Sequence, residues 1–350
     1  MKRCIITVVF TLLVCFGLVS TGFAASARYT DVPAQHWAAD SIHRASELGI
    51  FQGVEQNVFG CGQEISRAAF VTALTRMFDW ESSTSAKQTF SDVRPDAWYY
   101  SAVETAVANG AVAAVGTTFR PNEPLTRSEM VSMIVRALNY TSLAGTVSSG
   151  ASPFSDVKAN KGFITLGYDL GLIDGIGGGK FAPESVAKRE HAAVLLLRVY
   201  DKLHTVSREV TAVGQSTAVS VKTPTASAGD ELPTTPLEPI TELYMELRRL
   251  KHSGQDMRRA VLCLTEGGVR TTQSNEGEIL ATDTVSAQEM QEILAQDGVR
   301  TYYSNRYESA YCVYVPNEYQ KTTIWYQSEE SLAVKLQLAK LFGVTKYYLQ

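Results

Sequence analysis

The sequence repeats one arginine three times in matching surroundings. Each copy follows a phenylalanine by eight residues and precedes a second arginine by nine. A guanidinium group offers a fixed fork of N–H donors that matches a planar carboxylate, so arginines at equivalent places predict repeated anion sites. The three sets are Phe59, Arg67 and Arg76; Phe119, Arg127 and Arg136; and Phe181, Arg189 and Arg198.

An aromatic residue, a spacer and an Asp-Val pair open each of the same three segments. The aspartates are Asp31, Asp92 and Asp156, and two segments add a tryptophan six residues later, at Trp37 and Trp98. An indole ring presents an apolar face that a sugar ring can cover. The alternatives are structural: each Asp caps a helix or bonds a turn, each Trp packs in the core, and each Arg pairs with an acid of the neighbouring repeat.

Two helices joined by a loop must position these residues. A glycine suited to the left-handed end of a first helix recurs every 61 residues, at Gly49, Gly110 and Gly171. A hydroxyl one residue before the arginine, at Ser66 or Thr126, can cap the second helix. One such pair has too little core to be stable alone, so the three should pack into one all-α domain of about 28–204.

These motifs resemble the S-layer homology module, over roughly half of the chain. The second segment matches best, with Phe90-Ser91-Asp92-Val93, Trp98, Phe119-Arg120-Pro121 and Leu125-Thr126-Arg127-Ser128-Glu129. The resemblance implies a pseudo-threefold domain of helix-loop-helix repeats. It also implies that the grooves between repeats bind secondary cell-wall polysaccharide, which often carries a pyruvate ketal.

The resemblance further implies a role for each repeated residue. Arg67, Arg127 and Arg189 would pair with the glycan carboxylate, Trp37 and Trp98 would pack on sugar faces, and Asp31, Asp92 and Asp156 would orient the groove or bond sugar hydroxyls. The first segment departs from the pattern at Gly60-Cys61 and Ala69, and the third at Lys188-Arg189-Glu190-His191 and Phe163. We therefore expect Arg127 and Trp98 to contribute most and the third pocket least. His191 alone predicts a solvated or hydrogen-bonded side chain.

The first 27 residues predict export. Lys2 and Arg3 precede an apolar run from Cys4 to Val19, and Ala25-Ser26-Ala27 allows cleavage before Arg28. The alternative is an uncleaved anchor, but the run has 16 residues, and about 20 are needed to span a bilayer. A net charge of −4 without a basic stripe argues against nucleic acid. No His or Cys pair at metal-ligand spacing is present, so we expect neither metal nor cofactor.

The rest of the chain divides into a linker and a small domain. Residues 205–239 are rich in Ser, Thr, Val, Ala and Pro, which predicts a flexible, exposed linker that holds the next domain away from the repeats. Residues 240–350 predict a separate α/β domain. Its predicted helices are 240–250, 286–296 and 328–342, and its predicted strands are 259–265, 310–315, 321–326 and 344–349, with a turn at Pro316-Asn317. Whether Cys263 and Cys312 form a disulfide is left open.

From Ile324 to Val344 this segment resembles the last strand–helix–strand of glycoside hydrolase family 18, a (β/α)8 barrel of chitinase-like enzymes. The resemblance implies weak glycan contact through Trp325 and Tyr347, with core packing as the alternative. However, the 111 residues are too few for a barrel of about 250. The acid signature of the family, Asp-x-x-Asp-x-Asp-x-Glu, is also missing from the sequence. The segment is therefore predicted to be non-catalytic.

Together these features predict a multidomain surface protein. Its parts are a signal peptide (1–27), three S-layer homology repeats (28–84, 85–146 and 147–204), a linker (205–239) and an α/β domain (240–350). The predicted function is non-covalent anchoring of a secreted protein to the bacterial cell wall or S-layer. The predicted partners are secondary cell-wall polysaccharide and peptidoglycan-associated glycan, with no membrane partner after signal cleavage. The alternative is an anchored hydrolase that remodels cell-wall or chitin-like glycan.

Overall fold

A computed structural model of the chain describes residues 29–83, 88–150, 152–221 and 236–350. The predicted signal peptide at 1–27 lies outside these ranges. No helix within them combines the length and the apolar character needed to cross a membrane.

The first half of the described chain is helical. Each repeat contributes a short helix and then a longer one, and an additional short helix precedes the third pair. The helices are α1 (Ala39–Glu47), α2 (Arg67–Met77), α3 (Tyr100–Ala108), α4 (Arg127–Ala137), α5 (Thr141–Val147), α6 (Lys161–Asp169) and α7 (Arg189–Leu203). The predicted helical repeats are confirmed as α1–α2, α3–α4 and α6–α7, whereas α5 was not predicted.

The ends of these helices follow from local chemistry. The Ser66 hydroxyl accepts the N–H of Ala69 and caps α2. Thr126 and Glu129 form a reciprocal capping box at the start of α4, which satisfies two N–H groups at once. The predicted glycines after the first helices have left-handed φ values of 66–73°, which a residue with a Cβ adopts only with strain. These glycines are Gly49, Gly110 and Gly171.

The three repeats meet in a closed ring of backbone hydrogen bonds. Ile65 N–H donates to Ala187 at 3.0 Å, Ala187 N–H donates to Leu125 at 2.8 Å, and Leu125 N–H donates to Ile65 at 3.0 Å. All three side chains are fully buried. Isolated β-bridges flank the ring, so the repeats join through short extended segments and not through helix packing alone. Each ring residue lies two positions before a repeated arginine, and these arginines are the first residues of α2, α4 and α7. The ring therefore holds the starts of the three helices at fixed distances from one another.

The C-terminal half contains two sheets. Its elements are β1 (Arg208–Glu209), β2 (Thr217–Val219), α8 (Ile240–His252), a 3₁₀ turn (Met257–Arg259), β3 (Ala260–Leu264), β4 (Gly268–Ser274), β5 (Ile279–Val285), α9 (Ala287–Leu294), β6 (Arg300–Ser304), β7 (Ser309–Asn317), β8 (Gln320–Tyr326), α10 (Glu329–Phe342) and β9 (Lys346–Leu349). A parallel sheet has the order β1-β9-β3-β2, and an antiparallel sheet has the order β5-β4-β8-β7-β6. Helix α9 packs on the antiparallel sheet through Met290 and Ile293.

The predicted linker at 205–239 is structured where it is described. Strand β1 pairs in parallel with β9, and β2 pairs in parallel with β3. Leu237 and Glu238 are buried as well. The prediction of a flexible tether was wrong for these parts because their hydrogen-bond partners lie far away in sequence, where composition gives no signal. Both residues of β1 are exposed, as predicted. Residues 222–235 lie outside the described ranges.

The α/β region packs directly on the helical repeats. The buried carboxylate of Asp169, at the end of α6, accepts the hydroxyl of Tyr244 and forms an ion pair with Arg248 at 2.9 Å, both from α8. Lys202 Nζ donates to the Leu341 carbonyl at 2.7 Å. One apolar cluster runs through both regions. The prediction that the α/β region is held away from the repeats was therefore wrong.

The antiparallel sheet corrects the predicted element list. The three helices and four strands predicted for residues 240–350 are present as α8, α9, α10, β3, β7, β8 and β9. Strands β4, β5 and β6 were not predicted. The hairpin between β7 and β8 turns after Asn317, and Pro316 lies within β7 at a register shift. Cys263 and Cys312 are buried free thiols, which answers the open question of a bridge in this structure.

Candidate functional site

The three repeated aspartates hold the loops between paired helices. Each carboxylate accepts the N–H of a repeated phenylalanine and the N–H of the next residue at 2.7–2.9 Å, and Asp31 also accepts that of Cys61. The residue after each phenylalanine has a left-handed φ of 56–85°. Burial raises the pKa of Asp31, but the backbone donors outweigh it and hold this pKa below its ordinary value. Hydrogen bonds from Phe181 and Ala182 lower the pKa of Asp156.

The geometry therefore gives the aspartates a structural role, one of the two alternatives. Hydrogen bonds between Asp31, Asp92 or Asp156 and a sugar hydroxyl stay a prediction.

Each repeated arginine reaches into the next repeat. Its Nε–H donates to the carbonyl of that repeat's phenylalanine: Arg67 to Phe119 at 2.8 Å, Arg127 to Phe181 at 3.0 Å and Arg189 to Phe59 at 2.9 Å. Each guanidinium also lies over the same phenylalanine ring, at 4.5–5.1 Å from the centroid. Burial lowers the pKa of all three arginines, but a guanidinium stays protonated.

Residues from all three repeats define two grooves. Groove 1 is a cavity of about 390 Å³ lined by Arg189, the second arginine Arg76 and Trp98. Groove 2 is a cavity of about 230 Å³ lined by Arg127, Arg198 and Trp37.

The equivalent positions of the third repeat boundary, groove 3, are Arg67, Arg136 and Phe163. There the Arg136 guanidinium lies 4.5 Å from the Phe163 ring centroid. Phe163 thus takes the place that a tryptophan has in the other two grooves.

The structure separates the pair expected to contribute most. Arg127 lies in groove 2 with Trp37, while Trp98 lies in groove 1 with Arg189. The pairing differs because each tryptophan precedes a first helix, whereas each arginine begins a second helix that faces the next repeat. The third segment, expected to contribute least, supplies the arginine of groove 1.

Both tryptophans face solvent. Trp37 is 61% exposed and Trp98 is 68% exposed, so core packing is excluded for both. Exposed indole faces beside charged guanidinium groups match the two needs of an acidic sugar, an apolar face and an anion partner.

Sequence reasoning did not assign the second arginines or His191 to the site. The spacing of nine residues was the available signal for Arg76 and Arg198. His191 lines groove 2, and its ring lies 5.4 Å from that of Trp37. Burial lowers the pKa of His191 below its ordinary value. Its role depends on neighbours from the first repeat that spacing along one helix does not reveal.

The aromatic residues predicted in the C-terminal region differ from these. Trp325 is fully buried and packs on Tyr311 at 4.7 Å between ring centroids. It presents no face to a sugar, so the predicted glycan contact was wrong for this residue. Tyr347 is half-buried on β9, with its hydroxyl 3.4 Å from Glu209. A glycan contact there stays a prediction.

Comparison with known families agrees with the repeat geometry. The S-layer homology domain model matches residues 28–71, 89–131 and 153–193. The chain contains three S-layer homology domains.

Proteins of several bacteria are similar to about half of the chain. An S-layer protein of Bacillus thuringiensis subsp. finitimus is 27% identical over 59% of this chain and 25% of its own length. S-layer protein EA1 of Bacillus anthracis is 31% identical over 51% of this chain and 20% of its own. Exoglucanase XynX of Acetivibrio thermocellus is 28% identical over 51% of this chain and 16% of its own. The chain thus spans a quarter or less of the length of these relatives.

Solved structures resemble the chain only loosely. The spore cortex-lytic enzyme SleL of Bacillus megaterium has a TM-score of 0.30 and 16% identity, covering 38% of this chain and 36% of its own. A family 18 chitinase of Cycas revoluta has a TM-score of 0.27 and 20% identity, covering 33% of this chain and 35% of its own. Likenesses at this level carry no conclusion about activity.

Proposed function

We propose that this chain is an exported bacterial protein held non-covalently on the cell wall by its S-layer homology domains. Its ligand is an acidic secondary cell-wall polysaccharide, such as a pyruvylated glycan, bound in the grooves between the repeats. The three S-layer homology domains and the similarity of the chain to S-layer proteins support this proposal.

The bonding of the groove arginines carries the proposal. Arg127 and Arg189 direct Nε–H to a backbone carbonyl, and a terminal nitrogen of each donates to a second carbonyl, that of Asp174 or Gln52. Carbonyls orient a guanidinium but do not cancel its charge. A preoriented, partly desolvated cation therefore lies beside an exposed tryptophan, and a carboxylate of the glycan gains more there than in open solvent.

The remaining repeat residues fit the same function. The ring at Ile65, Leu125 and Ala187 supports a pseudo-threefold arrangement, in which each groove combines residues from different repeats. The aspartates keep the groove loops in place before a ligand arrives.

The α/β region is proposed to be a displayed, non-catalytic part. The acid signature of glycoside hydrolase family 18 is missing from the sequence, and hydrolysis by that family's route needs a protonated carboxyl group placed against the glycosidic oxygen. The rival function is a hydrolase of cell-wall or chitin-like glycan. Cleavage of chitin oligosaccharides or purified cell wall by the full chain, abolished in a variant of one of its acids, would establish that rival.

Retention on purified cell walls tests the anchoring function. The full mature chain is sedimented with native sacculi and with sacculi stripped of polysaccharide by hydrofluoric acid. We expect retention on the native material alone. Equal retention on both materials, or on neither, contradicts polysaccharide anchoring.

An arginine variant ties retention to the grooves. Arg127→Ala removes a charge-assisted contact, so we expect retention to weaken by about tenfold. Arg258→Ala is the matched control, since its side chain is 86% exposed and pairs with Asp256 in the α/β region. Equal losses in the two variants contradict a role for the groove.

A further inference from the structure

One segment of the third repeat belongs both to groove 2 and to the junction with the α/β region. We call residues 169–174 the wall segment. It runs from the end of α6 into the loop that lines groove 2 through Leu172, Ile173 and Asp174. Its first residue, Asp169, is the buried acid of the junction. The junction contact and the groove lining are therefore at most five positions apart on one stretch of backbone.

Helix α8 holds the first half of the wall segment. The Asp169 carboxylate binds Tyr244 and Arg248, and its backbone carbonyl accepts a hydrogen bond from Lys251 Nζ at 2.6 Å. The same ammonium group lies beside Gly171, 3.5 Å from the place that a Cβ would take. A cation is also favourable at the carbonyl end of α6 because of the helix dipole. Three side chains of the α/β region thus fix the start of the wall segment.

The second half of the wall segment orients the two arginines of groove 2. The Leu172 carbonyl accepts from Arg198 at 2.8 Å, and the Asp174 carbonyl accepts from Arg127 at 3.3 Å. The Asp174 carboxylate also pairs with Arg198 at 3.2 Å. A shift of this backbone would move the acceptors that direct both guanidinium groups. The geometry of the anion site therefore depends on how firmly the wall segment is held.

The equivalent position is exposed in the other two repeats. The residue two places before the repeated glycine is Glu47 in the first repeat, Ala108 in the second and Asp169 in the third. Glu47 and Ala108 are exposed, whereas Asp169 is 2% exposed beneath α8. At this position the α/β region covers the wall of groove 2 and leaves the corresponding wall of groove 1 open.

Resting on the proposed function, we infer that the α/β region positions the wall of groove 2 and so raises the affinity of this groove for the acidic glycan. Tyr244, Arg248 and Lys251 are positioning residues that act through the wall segment. A groove held in its binding geometry loses less freedom when the ligand arrives, so its affinity rises without a new ligand contact. The linkage is reciprocal, so glycan in groove 2 strengthens the docking of α8 by the same factor.

Removal of one junction ammonium group tests this inference. Lys251→Met, made in the full mature chain, removes the contact with the Asp169 carbonyl and keeps an apolar stem. We would titrate the chain with a methyl hexoside carrying a pyruvate ketal and follow the arginine Nε–H resonances by NMR, assigned through single Arg→Lys variants. We expect the affinity reported by Arg127 in groove 2 to fall by about fivefold. The affinity reported by Arg189 in groove 1 should stay unchanged.

Lys340→Met is the matched control, because Lys340 makes the same kind of contact across the same junction. Its Nζ donates to the Leu203 carbonyl at 2.9 Å, at the end of α7 and outside the wall segment. We expect both affinities to stay unchanged in this variant. An equal loss in groove 2 for the two lysine variants overturns the inference, since any loosening of the junction would then suffice. A loss in both grooves, or in neither, for Lys251→Met overturns it as well.

Hydrogen exchange measures the linkage from the side of the α/β region. Saturation with the same hexoside should slow exchange of the α8 backbone amides by about fivefold. The slowing should disappear in Arg127→Ala and remain in Arg189→Ala, because only groove 2 shares the wall segment with α8. Unchanged exchange in a chain whose two grooves respond overturns the inference and leaves wall anchoring intact. If no arginine responds in the unmodified chain and native sacculi also fail to retain it, the anchoring function fails, and this inference fails with it.

Discussion

The helical repeats and the α/β region differ in the partners of their buried charges. In the repeats, backbone N–H groups donate to Asp31, and backbone carbonyls accept from Arg189. At the junction and in the α/β region, backbone carbonyls also accept from Lys202 and Lys335, but buried acids there pair with a cation or a phenol as well. Asp169 takes Tyr244 and Arg248, and Lys335 lies 3.4 Å from Glu238.

The difference teaches which charges remain available to a ligand. A backbone dipole orients a charged group and leaves its net charge unchanged, so a groove arginine still attracts an anion. An ion pair cancels its own field and fixes two elements relative to each other. Burial lowers the pKa of Lys335 to about 8, despite Glu238, as expected for a cation held for structure. Groove 3, where Arg67 forms an ion pair with Glu129, is bonded in the manner of the junction.

The largest expected effect is at the junction. Asp169 binds the Arg248 cation and the Tyr244 hydroxyl at the buried interface. Asp169→Ala therefore leaves both groups without this partner. Removal of one member of a buried pair costs about 3 kcal/mol or more. We expect the free energy of unfolding, measured by urea denaturation, to fall by that amount.

A surface pair on the same helix is the control for this prediction. Glu246 pairs with Arg249 three residues along α8, and Glu246→Ala should cost about 0.5 kcal/mol. If Asp169→Ala costs no more than Glu246→Ala, the junction pair does not hold the two regions together.

A smaller effect is expected at Asp31, whose carboxylate accepts hydrogen bonds from backbone N–H groups. Asp31→Ala removes the acceptor of three N–H groups, and we expect a loss of about 2 kcal/mol because the site is partly exposed. The folded pKa of Asp31 is lowered, so its contribution is present above the unfolded value of about 3.9 and is lost as the pH falls through the folded pKa.

Denaturation at two pH values tests whether the stabilisation by Asp31 is lost as the pH falls. The difference in the free energy of unfolding between the unmodified chain and Asp31→Ala should narrow below about pH 4. The control is Asp40→Ala: Asp40 is an exposed acid in the first turn of α1, so its removal should cost only a few tenths of a kcal/mol. A gap that widens in acid would contradict the role of an ionised Asp31.

The repeats were predictable because their signals are local. A glycine at a left-handed position, a hydroxyl at a helix start and an aspartate before a turn each act within one repeat, and their recurrence identified them. Which residues share a groove is not local. Trp98 meets Arg189, 91 positions away, and this pairing follows only from the order of the repeats around the backbone ring.

The α/β region was less predictable for the same reason. Strand β1 at Arg208–Glu209 pairs with β9 at Lys346–Leu349, and β2 pairs with β3. Parallel pairing needs a distant partner, so a stretch rich in Ser, Thr and Pro gives no sign of it. The junction acid Asp169 was invisible too, because its partners Tyr244 and Arg248 follow in a different region of the chain.

The smallest expected effect concerns the pH dependence of binding in grooves 1 and 2. His191 lines groove 2, and Glu190, Arg127 and Lys188 are the charged groups acting on it. Desolvation is the main reason that its pKa lies below the ordinary value of about 6.5. In the free chain, its contribution to stability is therefore present above that value and is lost as the pH falls through the folded pKa.

A carboxylate bound in groove 2 would favour the protonated ring and raise its pKa. The complex then takes up a proton, so binding in groove 2 should strengthen as the pH falls, by about threefold to tenfold between pH 7.5 and 5.5. Groove 1 has Ala69 at this position and is the internal control, since the affinity reported by Arg189 should stay nearly constant. The Nε–H resonances of Arg127 and Arg189, followed by NMR as a methyl hexoside carrying a pyruvate ketal is added, measure both affinities in one titration. Equal pH dependence in the two grooves, or dependence in groove 2 that survives His191→Gln, would exclude the histidine as its source.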